Sequence, residues 1–115
     1  MELTYGRYLK VEELLQLQQP LSEGPEHDEM LFIIIHQVYE LWFKQILHEL
    51  EKLKSSFQEG ERGKALHTLK RIRSILKVLV SQVDVLETMT PLEFLSFRER
   101  LQSASGFQSL SLIHI

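Results

Sequence analysis

Residues 27–58 read HDEMLFIIIHQVYELWFKQILHELEKLKSSFQ, and the fold turns on how this stretch is read. Asp28 and Glu29 put negative charge where a helix N-terminus favours it. Apolar residues then run to Phe57, and Gly60 supplies a stop. The expectation is one long helix over about 27–58. Its second half settles into an i, i+3, i+4 stripe of Trp42, Ile46, Leu50 and Leu53. Its first half, MLFIII at 30–35, is apolar on every side and is expected to be buried all round.

Working outward, Leu66, Leu69, Ile72, Leu76, Leu79, Val83 and Leu86 recur at helical spacing, predicting a second long helix over about 62–88. The short connection between the two makes them antiparallel neighbours. Thr90, Pro91 and Glu93 read as N-cap, first-turn proline and capping-box acid of a further helix to about Leu101, which SASG (103–106) ends. Upstream, VEELLQLQ (11–18) spaces Leu14, Leu15 and Leu17 for a short amphipathic helix closed by Pro20. Residues 1–10, with Tyr5, Gly6 and Tyr8, lack evident caps and read as an aromatic arm that extends or turns. No period-2 alternation suggests a strand. The fold class is therefore all-α: a long antiparallel helical hairpin with short flanking helices, in a single segment over 1–115.

A helix of about 30 residues is roughly 45 Å long, whereas a compact body of this size has a radius of gyration near 13 Å. The hairpin is expected either to project into a partner or to be covered by parts of something larger. The 115 residues are 43% apolar and 25% charged, as in a globular domain, and carry a net charge of −3. That balance gives no basic excess for a phosphate backbone, so nucleic acid is not an expected partner. With no cysteine, disulfides, cysteine-bound metals and thiol nucleophiles drop out. MELTYGRYLK lacks a secretory apolar core, and the run 30–35 is far short of the roughly 18 residues of a membrane span. The expected setting is cytoplasmic.

Among residues able to carry chemistry, His36 ends the most apolar run, with Phe32 one turn before it and Tyr39, Glu40 and Phe43 one turn after. Burial there disfavours the charged imidazole and leaves a neutral ring with one donor and one acceptor. The plainer reading is a core histidine bonded to a backbone carbonyl or to a neighbouring acid, and spacing alone favours it. HxxxE at His36 and Glu40 offers two metal ligands with no matching second pair, so no metal site is assigned. Arg98, one turn past Phe94, could grip a carboxylate through both arms of its guanidinium, although a surface ion pair is the commoner use. His27, His48 and His67 read as loop or solvated positions.

Four blocks, LTYGRYLKVEELLQLQ, HDEMLFIIIHQVYELWFKQILHEL, LETMTPLEF and FRERLQSASGFQSL, in this order and spacing, resemble the N-terminal portion of the tryptophan 2,3-dioxygenase family from about Leu3 to Leu110. The resemblance implies a helical, haem-dependent, homotetrameric enzyme that opens the indole ring of L-tryptophan with O2 to give N-formylkynurenine. Residue by residue, it implies that Phe32 and His36 are the distal-pocket pair, His36 being the catalytic-site residue that bonds the indole N–H. Ile33, Ile34 and Ile35 complete the substrate-binding string. Arg98 pairs with the substrate carboxylate beside Phe94, and Ser105 and Gly106 border the haem. Tyr5, Tyr8 and Leu9 match residues that reach into a neighbouring subunit's pocket.

The resemblance also has gaps. The family's axial histidine for haem b lies in a C-terminal part without a counterpart here. Arg100, Gln102 and Ser103 depart from the usual tyrosine and Ser-Pro, and the tail at 111–115 leaves the pattern, so His114 is a poor stand-in. Two readings follow: a haem dioxygenase segment holding the distal half of the site and inactive in isolation, or a non-catalytic helical assembly module.

Overall fold

The computed structural model describes residues 2–21 and 26–94. Four helices follow in order: α1 (Tyr5–Leu9), α2 (Val11–Leu14), α3 (His27–Gln58) and α4 (Arg62–Leu86). The described part of the chain is all-α. The 32 residues of α3 make it about 48 Å long, and α4 runs back along it.

The turn between them is set by one glycine. Gly60 sits at φ 72°, and the amide of Glu61 donates to Ser56 O at 2.9 Å while that of Gly60 donates to Phe57 O at 3.2 Å. These two bonds form a Schellman ending, which satisfies last-turn carbonyls and reverses the chain.

The two helices meet along a seam of alternating three- and four-residue steps. On α4 these are Ala65, Thr68, Ile72, Ile75 and Leu79, all buried, continuing through half-buried Gln82 and Leu86. On α3 the buried Ile35, Glu49 and Ser56 fall on a seven-residue repeat, with half-buried Tyr39, Trp42, Ile46 and Leu53 between them. That repeat lets one face of each helix follow its partner over many turns. Near the turn the seam is narrow, built from Ser56, Ala65 and Thr68, the last 0% exposed. The register is fixed by two polar contacts across it. Tyr39 Oη donates to Leu79 O at 3.0 Å, and Arg71 reaches from the rim to the buried Glu49 carboxylate at 3.5 Å, which also accepts from Gln45 at 2.9 Å.

This phase agrees with the one hydropathy predicts only in part: Trp42, Ile46 and Leu53 on α3 and Ile72, Leu79 and Leu86 on α4 face inward as expected. Leu50, Leu66, Leu69, Leu76 and Val83 are exposed, because the neighbouring Glu49, Ala65, Thr68, Ile75 and Gln82 take the inner positions. The MLFIII run is not buried all round either: Ile35 is in the core, but Met30 and Ile34 are exposed, Ile34 by 42%. No helix among the described residues is long and apolar enough to cross a membrane.

The N-terminal segment also departs from expectation. Thr4 caps α1 by accepting from the Arg7 amide at 3.3 Å, so part of the arm is helical. Lys10, at φ 54°, breaks α1 from α2. The second helix stops at Leu14 rather than Gln18 because glutamine side chains take carbonyls that a continuing helix would use: Gln18 Nε2 donates to Leu14 O at 2.9 Å and Gln19 Nε2 to Gln16 O at 2.7 Å. Glu29 is no solvated N-terminal charge. It is 1% exposed and accepts from the Leu21 amide at 2.8 Å.

Two stability outcomes follow. A Cβ at Gly60 or at Gly63 meets nothing within 4 Å, so backbone preference alone decides both. Gly60→Ala is expected to cost about 1 kcal/mol, and Gly63→Ala, inside α4, to gain up to about 1 kcal/mol, as opposite shifts of midpoint in denaturant unfolding. Ile72→Ala, in the centre of the seam, is expected to cost about 2–4 kcal/mol in the same measurement, whereas Leu66→Ala on the outer face stays within about 1 kcal/mol.

Candidate functional site

Phe32 and His36 lie one turn apart on α3, so their side chains share a face. Their ring centroids are 4.2 Å apart, and His36 Nδ1 lies 2.7 Å from Phe32 O. A carbonyl only accepts, so in the neutral ring Nδ1 carries the hydrogen. Nε2 then presents a lone pair and can accept from a ligand N–H. His36 is exposed among the described residues and not buried as expected, and in the neutral ring the Phe32 carbonyl is what selects the tautomer.

A third ring comes from far along the chain. Thr90 begins a helical turn at 91–94: the Glu93 amide donates to Thr90 Oγ1 at 3.2 Å, Thr90 Oγ1 donates back to Glu93 at 2.9 Å, and the Phe94 amide bonds Thr90 O at 3.1 Å. The cap predicted from sequence is formed, although here the Thr90 hydroxyl meets the Glu93 carboxylate itself. It places Phe94 with its centroid 5.8 Å from that of Phe32, at a 32° tilt. Phe32, His36 and Phe94 thus form one aromatic edge at the open end of the hairpin.

Other predicted site residues are distributed differently. Ile33 is half-buried, Ile34 exposed, and Ile35 belongs to the hairpin core. Tyr5, Tyr8 and Leu9 occupy one face of α1 and stand exposed, Tyr5 by 80%. Arg98, Ser105, Gly106 and His114 lie outside the described residues, as do Arg100, Gln102, Ser103, the later part of the helix begun at Pro91 and the SASG stop. His27, His48 and His67 are exposed as expected. Among the described residues no group of three or more His, Cys, Asp or Glu side chains is arranged to hold a metal ion.

Beside His36, on the flank turned to the arm, lies a hollow of about 390 Å³ between Leu14 and Leu17 on one side and His36, Gln37, Leu41 and Lys44 on the other. Periodicity gave no sign of this wall, or of the amide pair between Gln18 and Gln37 beneath it.

Comparison with known proteins matches the sequence of this chain to a family. The family model described as Tryptophan 2,3-dioxygenase matches residues 1–114. The chain is 62% identical over 113 residues to a tryptophan 2,3-dioxygenase of Herpetosiphon aurantiacus, covering 98% of this chain and 44% of the relative. It is 64% identical over 107 residues to that of Anaeromyxobacter sp. (strain K), covering 93% and 40%. It is 51% identical over 116 residues to that of Aedes aegypti, covering 94% and 30%. The chain spans less than half the length of these relatives. A match along nearly its whole length, at identities above one half, establishes that the chain belongs to the tryptophan 2,3-dioxygenase family.

Proposed function

We propose that this segment works within a haem-dependent dioxygenase that opens the indole ring of L-tryptophan with O2 to give N-formylkynurenine, and that it supplies the distal half of the site. The observation that carries the reading is His36: one ring nitrogen is committed to Phe32 O, and the other is left as an acceptor beside two phenylalanine rings. An indole needs this combination, since its N–H is a donor and its ring is flat and apolar.

The described residues fit the open side of a haem pocket, with Phe32, His36 and Phe94 offering an aromatic edge. Ser105 and Gly106 would border a bound haem, and no residue of this chain is assigned to hold its iron. Haem b, when bound, supplies the oxidising chemistry with O2. The chain's own contribution is orientation. His36 holds the indole N–H, Arg98 pairs with the substrate carboxylate, and fixing both ends of the amino acid leaves its ring little freedom. Apolar side chains around 30–34 exclude water once covered, and a neighbouring subunit's arm brings Tyr5, Tyr8 and Leu9 to complete the wall. On this reading the enzyme is a cytoplasmic homotetramer, and the segment alone is inactive.

A second reading has an observation of its own. Leu66, Leu69, Leu76 and Val80 stand in a row along the outer side of α4, and exposed apolar surface of this kind favours association. By that account the isolated chain is an assembly module without catalysis. A complete haem-loaded enzyme carrying this segment separates the two: tryptophan-dependent shifts in the absorption spectrum that His36→Ala weakens support the site, and shifts indifferent to that change support the module.

In a complete enzyme carrying these residues, Arg98→Ala is expected to raise KM for tryptophan at least about tenfold through loss of the paired carboxylate contact. His36→Ala is expected to lower kcat/KM about tenfold or more, with measurable activity left. Steady-state formation of N-formylkynurenine checks both, and unchanged kinetics removes the residue concerned from the site.

A further inference from the structure

Gln37, the residue after His36, uses both ends of its side-chain amide on the N-terminal arm. Its Nε2 donates to Leu17 O at 2.9 Å, and its Oε1 accepts from Gln18 Nε2 at 2.9 Å. Gln18 Nε2 also donates to Leu14 O at 2.9 Å. Both carbonyls can only accept, so each amide nitrogen must face its carbonyl and the Gln37 oxygen is left for Gln18; neither amide can be turned over without breaking the set.

These bonds do not merely reinforce a packed interface. Leu14, Leu15 and Leu17 are all exposed, so the arm is not embedded by apolar burial where it crosses α3. Its attachment there is largely polar. A second tie, from the Leu21 amide to Glu29, meets α3 about two turns nearer its start. Two separated points on one rigid helix fix a direction, where a single point would leave a pivot. Consecutive residues on a helix point about 100° apart. Gln37 therefore faces the arm while His36, on the same turn, stacks on Phe32.

We propose that Gln37 is a positioning residue for tryptophan binding: its amide pair with Leu17 and Gln18 sets the pose of the arm that carries Tyr5, Tyr8 and Leu9 into the substrate pocket. The inference rests on the reading of function given above. It assigns to Gln37 no contact with the substrate. It ties the arm to the helix that carries His36, so that an arm serving one pocket is held by the wall of another.

The test uses the complete haem-loaded enzyme carrying this segment, with Gln37→Glu and Gln18→Ala. The glutamate has nearly the same shape but places a carboxylate oxygen against Leu17 O where a donor stood. Each variant is expected to raise KM for tryptophan about fivefold, the scale of one lost hydrogen bond, with kcat within about twofold. Amide hydrogen exchange over 11–18 is expected to quicken in both, and the double variant to raise KM by less than the product of the two single effects. Faster exchange with KM unchanged reduces Gln37 to a structural tie and overturns the proposal. A raised KM without faster exchange overturns it too, because Gln37 would then act by another route. If Gln37→Glu does not fold, Gln18→Ala decides alone by the same two readouts. A wild-type enzyme that does not turn over tryptophan sinks the reading of function and this proposal together, whereas normal turnover with indifferent variants sinks only the proposal.

Discussion

The close approach of α3 and α4 along one narrow seam is the constraint on which the rest of the structure depends. At its closed end the helices meet over Ser56, Ala65 and Thr68, where a larger side chain would hold them apart. Tyr39 on Leu79 and Arg71 on Glu49 lie at nearly matched distances either side of Gly60, so sliding one helix by a turn would break both contacts. A seam of this kind uses one stripe of each helix. Everything else the two helices carry is presented outward, including the aromatic edge at the open end.

The lengths of the long helices, their antiparallel pairing and the Thr90 cap were legible in the sequence because each rests on local signals: periodicity, a glycine stop, a proline after a capping threonine. The phase of the seam was legible only in part. Each helix carries two neighbouring apolar stripes, and hydropathy prefers the greasier one, with Leu50, Leu66 and Leu69. Packing prefers the one that lets backbones come close and gives Glu49 its partners. For the same reason Glu29, which looks like a surface charge at a helix start, is buried against the returning chain. The pairing of Phe32 with His36 follows from their spacing. The meeting of Phe32 with Phe94 is a tertiary contact that no periodicity encodes, and only resemblance to a family placed the two rings in one site.

The plain reading of His36 holds in one part and fails in another. A core histidine bonded to a backbone carbonyl or a neighbouring acid was the alternative to a functional one: the carbonyl bond is present, but the side chain is exposed and not in the core. That bond occupies one nitrogen only. In the neutral ring it fixes the tautomer, and the other nitrogen then offers a lone pair, which suits a donor such as an indole N–H. A structural hydrogen bond and a binding role can thus divide one ring between them.

The outward row on α4 has a consequence during synthesis. In relatives more than twice as long, this hairpin leaves the ribosome while over half of the polypeptide is still to be made, a delay on the order of ten seconds at cellular elongation rates. For that interval its leucines and valines face solvent bare. Exposed apolar surface favours association, so in such relatives this is the stage at which the hairpin is most open to wrong contacts.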